Sequence, residues 1–271
     1  MSPLWRDEVA IYLAPRKVAL ARRARGLKTR ISAAIEVAVP GGGSGDSGPA
    51  LAQLAELLLE PTWADAAAHV VIADAWARYC IVPATATRLD AEGRRAQARY
   101  VLEDAYGEGV SDWNVVVEDA PPGRVSVACA MAEGLKSALI AALAPARLKL
   151  VSMQPQLVVA FNAWRRQLPR DDAWFIALED GWLSAVHLAN GAWDRIHAAR
   201  LSGEPRVELE RLQVFGSLTR AAGSVSRMFV EAPPWMRERA RRGGTGLEWL
   251  EADDPGGAQT HELALLMRAN A

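Results

Sequence analysis

Two stretches of the sequence align with each other without a gap: VAIYLAPRKVALARRARGLKTRISA, from Val9 to Ala33, and WFIALEDGWLSAVHLANGAWDRIHA, from Trp174 to Ala198. Identical residues fall at Ile11 and Ile176, Leu13 and Leu178, Ala24 and Ala189, Gly26 and Gly191, Arg30 and Arg195, Ile31 and Ile196, and Ala33 and Ala198. In each copy an apolar strand, a turn, a second apolar strand ending near a glycine and a third strand follow in that order. The pattern predicts a duplicated fold.

The composition is that of a globular protein. Of 271 residues, 51% are hydrophobic and 23% are charged, which is enough apolar surface for one large core or two moderate ones. Lys and Arg together number 31 and Asp and Glu 32, a net charge of -1. No overall field therefore favours nucleic acid or an anionic membrane as a partner.

The cysteines and the apolar stretches indicate a cytoplasmic protein. Cys80 and Cys129 each lie in an apolar, strand-like run, which favours buried reduced thiols over a secreted disulfide framework. Charged residues precede the first apolar run, unlike a signal peptide. The longest uncharged stretches, such as 137–146, are shorter than the roughly 20 apolar residues of a membrane span. Contact with a membrane would then need a partner.

Hydrophobic periodicity predicts the elements of three segments, 1–75, 76–169 and 170–271. In the first, strands are expected at 8–14, 17–24, 28–39 and 69–74 and a helix at 49–60, with a glycine-rich loop at 40–48. In the second, an inserted subdomain with connecting helices, strands are expected at 78–82, 113–119, 124–130 and 147–151 and helices at 91–105, 132–143 and 155–167. In the third, strands are expected at 173–179, 183–189, 192–201, 227–231 and 247–251 and helices at 207–221 and 260–269.

This order of elements excludes a doubly wound nucleotide-binding fold. In that fold strand and helix alternate from the beginning, and a Gly-rich fingerprint follows the first strand. Here three strands precede the first helix in each half, and the fingerprint is absent from the sequence. A three-stranded meander followed by alternating helices and strands, present twice, resembles the α/β actin-like (ribonuclease H-like) fold of actin, sugar kinases, heat-shock chaperones and several bacterial assembly proteins. That resemblance implies two lobes.

The inserted segment carries a narrower resemblance. RYCIVP at 78–83, RRAQARYVLED at 94–104 and DWNVVV at 112–117 are similar to the cytoplasmic domain of the type II secretion protein GspL, in which a strand leads through an Arg-bearing helix ending in Leu-Glu-Asp to another strand. The type IV pilus protein PilM has a similar layout. The resemblance implies an inner-membrane partner with a cytoplasmic tail, and a motor ATPase as a further partner. Arg99, Glu103 and Trp113 are the residues expected to contact the partner.

The two hairpin turns bear on nucleotide binding. In actin-like ATPases, as the resemblance implies, each turn holds phosphate or its Mg²⁺ through an Asp followed by small residues. The first turn here contains Pro15 and Arg16, without a carboxylate, and Pro lacks an N–H. The second contains Asp180 and Gly181, followed by the bulky Trp182. Asp180 and Gly181 are the only candidates for a retained nucleotide site, and a type I′ hairpin turn is the favoured interpretation of this pair.

The remaining candidates point to structural roles or to partner binding. His69, His187, His197 and His261 lack metal-ligand spacing, and no catalytic motif occurs, so neither a cofactor nor a metal is expected. The Gly pairs at 243–244 and 256–257 are interpreted as turns. Five of the ten tryptophans lie near predicted ends or turns, where an indole can meet a partner, although most are expected in the core or at its rim: Trp63, Trp76, Trp113, Trp235 and Trp249. The basic run at 237–242 suits an acidic partner or lipid head groups, but a solvated helix face is favoured.

The sequence thus favours a non-catalytic cytoplasmic assembly or docking subunit of a pilus-like or type II secretion-like machine. Such a subunit would be held at the inner membrane through its partner. Two alternatives stay open: an actin-like ATPase or small-molecule kinase with diverged phosphate loops, and a filament-forming protein.

Overall fold

The structure is a computed structural model that describes residues 7–24, 30–43, 45–110, 112–218, 227–241, 246–251, 261, 262 and 264. The strands in chain order are β1 (Glu8–Ala14), β2 (Lys17–Ala24), β3 (Arg30–Ala38), β4 (Ala67–Ile72), β5 (Arg78–Val82), β6 (Trp113–Val117), β7 (Ser126–Ala132), β8 (Lys149–Pro155), β9 (Ala173–Glu179), β10 (Trp182–Ala189), β11 (Ala192–Arg200), β12 (Arg227–Glu231) and β13 (Leu247–Leu250). The helices are α1 (Gly48–Leu57), α2 (Ala91–Tyr106), α3 (Glu133–Leu143), α4 (Gln156–Trp164), α5 (Pro205–Leu218) and α6 (Pro234–Arg241).

The chain divides into two compact units. The first comprises Met1–Trp76, Gly134–Trp164 and Glu251–Ala271, and the second comprises Ala77–Glu133 and Arg165–Leu250. This grouping differs from the predicted segments 1–75, 76–169 and 170–271, because β8 pairs with β4 in the sheet of the first unit.

The first unit contains a five-stranded sheet in the order β3-β2-β1-β4-β8. Strand β1 is antiparallel to β2 and parallel to β4, and it is buried from Val9 to Ala14. A strand covered on both faces needs apolar residues at successive positions, which explains why this run does not alternate. The carboxylate of buried Asp74, just beyond β4, accepts the Leu157 N–H at 3.1 Å and so holds the start of α4.

The second unit repeats that sheet in the order β11-β10-β9-β12-β13, so the predicted duplicated fold is confirmed. Its core is formed by β9 residues such as Ile176 and Leu178, packed with Leu209 of α5 and Met236 of α6. The predicted α/β class and the order of meander, helix and strand are also confirmed. The predicted topology lacks helix α6, and the predicted helix at 260–269 falls outside the described residues except for 261, 262 and 264.

The ungapped alignment of the two halves is right for two strands and wrong for the third. β1 and β2 match β9 and β10 with one constant offset, but residues 25–29 separate β2 from β3, whereas only Asn190 and Gly191 separate β10 from β11. Pairing places Arg30 opposite Ala24 and Ala192 opposite Ala189, so Arg30 corresponds to Ala192 and not to Arg195. The predicted matches of Ile31 with Ile196 and of Ala33 with Ala198 fail for the same reason, and Gly26 lies outside the described residues.

Both halves also contain a register irregularity at the same place in the pairing of the second strand with the third. It lies between Arg22 and Arg23 in β2, and between His187 and Leu188 in β10. A bulge bends its strand and re-aims the side chains beside it. The extra residue is in the third strand of each half, Ser32 of β3 and Asp194 of β11, so the two halves share this detail of the pairing between their second and third strands.

A three-stranded antiparallel sheet in the second unit has the order β5-β7-β6 and packs one face against α2. Ala98 and Leu102 of α2, both fully buried, meet Val115 of β6 and Ala128 and Ala130 of β7. Cys80 lies in the same cluster, and burial raises the pKa of its thiol to about 11. Both cysteines are free thiols; the predicted burial is confirmed for Cys80, whereas Cys129 is half-buried.

Candidate functional site

A groove of about 590 Å³ lies between helix α2 and strand β6 in the second unit. Residues 113–117 of β6 form one wall. Arg94, Arg95 and Arg99 of α2 line the other wall, and no carboxylate of α2 lines the groove. Ala91 of α2 also lines the groove, and Asp112 and Glu133 complete the lining next to the start of β6.

The local sequence explains why α2 presents arginines to this groove. Asp90 caps the helix, because its carboxylate accepts the Gly93 N–H at 2.7 Å, and Gly107, with φ of 82°, follows its last turn. Ala98 and Leu102 lie one turn apart and face the sheet. Arg95 and Arg99 are also one turn apart, and they flank that buried face on the side of β6.

Two contacts fix the direction of α2 relative to β6. The Arg99 guanidinium donates to the Trp113 carbonyl at 3.1 Å, near the start of the strand. Arg94 lies 3.3 Å from the carboxylate of Asp119, just beyond the end of the strand. Helix and strand therefore run in opposite directions. Arg95 is exposed, and no hydrogen bond or ion pair to the described residues holds its side chain.

Strand β6 is an edge strand, since within the described residues it pairs only with β7. The Glu118 N–H donates to the Val127 carbonyl at 2.8 Å, and the Asp112 carbonyl accepts the Glu133 N–H at 3.3 Å. Backbone groups alternate in direction along an antiparallel strand, so the even-numbered residues face β7. The N–H and C=O groups of Trp113, Val115 and Val117 consequently point to the free edge.

Three aromatic rings surround Arg78 at the other end of this subdomain. Its guanidinium lies 5.9 Å from the ring centre of Tyr106, 5.7 Å from that of Trp113 and 5.8 Å from that of Trp182. Tyr106 also donates its hydroxyl to the Tyr79 carbonyl at 3.1 Å, and burial raises the pKa of this phenol. Cation–π contacts of this kind fasten the start of β6 to β5 and to β10.

The groove contains two of the three residues predicted to contact a partner. Trp113 and Arg99 line it and touch each other, whereas Glu103 is exposed on α2 and lies outside the lining. The predicted contacts of these residues with a partner stay a prediction. Neither Arg95 nor the edge backbone of β6 was predicted from the sequence. Arg95 could have been predicted from its spacing of one helical turn from Arg99. The edge position of β6 could not, because it depends on the strand order of the sheet.

The histidines have structural partners. The ring nitrogens of His187 lie 3.1 Å from an Asp194 oxygen and 3.5 Å from an Asp172 oxygen, and His69 is 2.9 Å from the Ser152 hydroxyl. Burial lowers the pKa of His187, while Asp194 acts in the opposite direction. Among the residues that the structure describes, no group of three or more His, Cys, Asp and Glu side chains is placed to hold a metal ion. No helix of the described residues is long and apolar enough to cross a membrane.

Comparison with known proteins shows the fold. No protein-family model and no curated protein matches the sequence. Among solved structures, the PilM-PilN type IV pilus biogenesis complex is similar to this chain with a TM-score of 0.64 at 14% identity, over 97% of this chain and 98% of the matched one. The cytoplasmic domain of EpsL, an inner membrane component of the type II secretion system of Vibrio cholerae, has a TM-score of 0.59 at 12% identity, over 97% and 94% of the two chains.

A third similar structure is described by its fold. A Bacteroides thetaiotaomicron protein with an actin-like ATPase fold and unknown function has a TM-score of 0.59 at 10% identity, over 98% of this chain and 99% of that one. The chain has the actin-like fold. The predicted fold and the resemblance to GspL and PilM in architecture are thereby confirmed.

In this actin-like chain the backbone of the loop at Gly42 covers the first hairpin turn. A Cβ atom placed on Gly42 would overlap the Pro15 carbonyl oxygen, so the glycine backbone lies directly against the turn. The Val39 N–H also donates to the Arg16 carbonyl at 2.8 Å. The glycine-rich loop therefore packs on the turn at a point where no larger residue fits.

The second hairpin turn differs from its predicted type. Gly181 has φ of 80°, but Asp180 is not among the described residues with positive φ, whereas a type I′ turn needs positive φ at both positions. The signs fit a type II turn. The type I′ signs occur instead at Asn190 and Gly191, with φ of 53° and 72°. Asp180 is exposed, and the Gly181 carbonyl accepts the Leu201 N–H at 3.0 Å.

Most of the tryptophans singled out in the sequence are buried or half-buried, and the described arginines of the basic run contact other residues of the protein. Trp63 and Trp76 are buried, Trp113 and Trp249 are half-buried, and Trp235 is 47% exposed. In the basic run, Arg239 pairs with Glu204 at 2.6 Å, Arg241 lies 5.6 Å from the Trp249 ring centre and Arg237 donates to the Ala232 carbonyl. Arg242 and the Gly pairs at 243–244 and 256–257 lie outside the described residues.

Proposed function

We propose that this chain is a non-catalytic assembly subunit of a pilus-like or type II secretion-like machine. It binds the cytoplasmic tail of an inner-membrane protein and is held at the membrane through it, with a motor ATPase as a further partner. The observation that carries the proposal is the likeness in fold, over nearly the whole of both chains, to the EpsL cytoplasmic domain and to the PilM-PilN complex. Those proteins belong to such machines by their descriptions.

The surface of the second unit supports a binding role. Its groove joins a free strand edge to a row of arginines, a combination that offers backbone hydrogen bonds and charge to a peptide. Arg99 and Trp113 hold each other in place, so this surface is formed before a partner arrives. A preformed surface avoids part of the ordering cost of association.

The hairpin turns support the non-catalytic part of the proposal. At the first turn, Pro15 offers no N–H and the Gly42 backbone occupies the adjacent space. At the second turn, the half-buried Trp182 follows Gly181 and packs its indole toward Arg78. The first turn thus lacks a carboxylate and one of the N–H groups that can hold a Mg-nucleotide, and the second keeps Asp180 and Gly181 only beside a bulky indole, which supports the non-catalytic proposal.

Affinity isolation from native membranes tests the assembly role. The tagged full chain is crosslinked in cells and purified, and the expected result is the reproducible capture of one inner-membrane protein that has a cytoplasmic segment. A tagged unrelated soluble protein at the same expression level is the control. Purification of the chain with no membrane protein attached contradicts the proposal.

Calorimetry with Mg-ATP tests the absence of a nucleotide site. The full chain is expected to give no binding heat at micromolar concentrations. Binding in the micromolar range that is lost in Asp180→Ala would favour the alternative, an actin-like ATPase or small-molecule kinase. Sedimentation at rising protein concentration separates the remaining alternative, a filament-forming protein.

A further inference from the structure

We infer that the groove between α2 and β6 takes an extended acidic segment of the partner's tail, which adds to the sheet as a fourth strand beside β6. The identity of this partner rests on the proposed function above. The geometry of the site rests only on the described residues of the second unit.

The free edge of β6 offers the backbone half of this interaction. Val115 and Val117 each direct an N–H and a C=O away from β7, while the Trp113 carbonyl already accepts from Arg99. An added strand can therefore form two pairs of ladder hydrogen bonds along this edge, which a segment of about five residues supplies. Pairing along an exposed edge is a common way for a folded domain to bind an extended peptide.

The side chains around the edge define the chemistry of the segment. Residues of an added strand alternate between the two faces of the sheet, so one set faces α2. On that face the segment meets Arg94, Arg95 and Arg99, and Arg95 forms no ion pair with the described residues. The carboxylates of the groove, Asp112 and Glu133, lie next to the start of β6, so the arginine wall is matched best beside Val115 and Val117. Acidic side chains at alternate positions match this wall.

The opposite face of the sheet favours apolar residues at the intervening positions. Val116 is 59% exposed there, and its cross-strand neighbour Cys129 is half-buried. The expected segment thus alternates acidic and apolar residues. A second copy of this chain fits less well, because pairing β6 with β6 would bring the two arginine-lined helices to the same seam.

A labelled peptide measures this site directly on the full chain. The probe is fluorescein-Thr-Val-Glu-Val-Glu-Val-Thr-amide, and its matched control carries Lys in place of both Glu residues. Fluorescence anisotropy is expected to show at least tenfold tighter binding of the Glu peptide. Methylation of alternate backbone nitrogens on its β6 side is expected to abolish binding. Equal binding of the Glu and Lys peptides, or no binding of either, overturns the inference.

Two variants with matched controls locate the site. Val117→Pro removes an edge N–H without touching the β7 ladder, and Val117→Thr keeps that N–H with a similar shape. Arg95→Glu reverses the charge of the helix wall, and Arg166→Glu makes the same reversal at an exposed position outside the groove. The first member of each pair is expected to weaken the Glu peptide at least tenfold and its control less than twofold. Circular dichroism melting of all four variants identifies any that fails to fold. If Val117→Pro fails to fold, the Arg95→Glu result decides about the site.

The same variants separate this inference from the proposed function. If the wild-type chain captures an inner-membrane protein and both Val117→Pro and Arg95→Glu lose it, the groove is the site of the tail. If both variants capture it as well as wild type does, the inference fails while the assembly role stands. If the wild-type chain captures no membrane protein, the assembly role fails and the peptide measurement alone decides about the groove. Peptide-independent dimerisation that Val117→Pro abolishes would assign the edge to a second copy instead.

Discussion

Arg22 in the first unit and His187 in the second occupy the same place in their sheets, each just before the register irregularity between the second and third strands. Each also faces an aspartate that precedes the first strand of its half. The Arg22 guanidinium donates to Asp7 at 2.8 and 3.1 Å, and a ring nitrogen of His187 lies 3.5 Å from Asp172. Both halves of the duplicated architecture therefore have a basic side chain next to a carboxylate at this position. One copy has a permanent charge and the other a charge that depends on pH.

The largest expected effect tests whether the two sheets are equally packed. Ile11 and Ile176 lie at equivalent positions of the central strands and are fully buried. Ile11→Ala and Ile176→Ala should each lower the free energy of unfolding by about 2–5 kcal/mol, because each deletes buried methyl groups and leaves a cavity. Urea denaturation followed by circular dichroism measures both. Costs that differ by more than twofold would show that the repeats share topology but not packing density.

A smaller effect is expected from breaking the pair in the first unit. Arg22 donates to Asp7 and to the carbonyls of Thr62 and Ala64 at 2.7 and 2.9 Å, so its removal takes a charged donor away from two partly buried acceptors and one exposed acceptor. Arg22→Ala should cost about 2 kcal/mol in the free energy of unfolding.

Arg22→Lys is the matched variant for that pair. It keeps the charge but cannot form the same fork of hydrogen bonds, so it should recover less than half of the loss in the same denaturation experiment. Full recovery would mean that charge alone, and not hydrogen-bond geometry, holds this position.

The smallest expected effect is a pH dependence confined to the second unit. Burial lowers the pKa of His187 from its usual value of 6.5, so the unfolded chain takes up the proton first as pH falls. The stability that neutral His187 contributes is complete above about pH 6.5 and is lost as pH falls below it toward the folded pKa. His187→Asn removes this titration. Wild type should lose stability relative to His187→Asn between pH 7.5 and 5.5, measured by thermal melting. A relative gain would show that Asp172 and Asp194 outweigh burial.

The same two repeats show how far the sequence predicts the fold. β1, β2, β5, β9 and β12 were predicted residue for residue, because apolar runs of these lengths end at turn residues. The third strand of each half was misaligned, since the alignment could not detect that a longer connection precedes β3 than β11. Helix α6 was missing from the predicted order of elements, although its basic run was interpreted as a helix face, because its sequence, PWMRERAR, presents only Met236 and Ala240 to the core between charged residues.

The candidate site was predictable only in part, for a different reason. Arg99 and Trp113 were predicted because they lie in the segments that are similar to GspL, and both line the groove. The edge backbone of β6 did not, because any strand of this composition looks the same in sequence whether it lies at the centre or the edge of a sheet. Its position follows from the antiparallel pairing of β5 and β6 on either side of β7, which is a tertiary property.

An uncovered edge also affects how the protein behaves in isolation. The Asn-Val-Val-Val run of β6 combines strong strand propensity with free backbone groups, the features that promote unwanted pairing between copies. The strand has only five residues, and Arg99 already occupies its first free carbonyl, which limits that tendency. Recombinant material would accordingly be best kept soluble by co-expression with whatever segment occupies this edge.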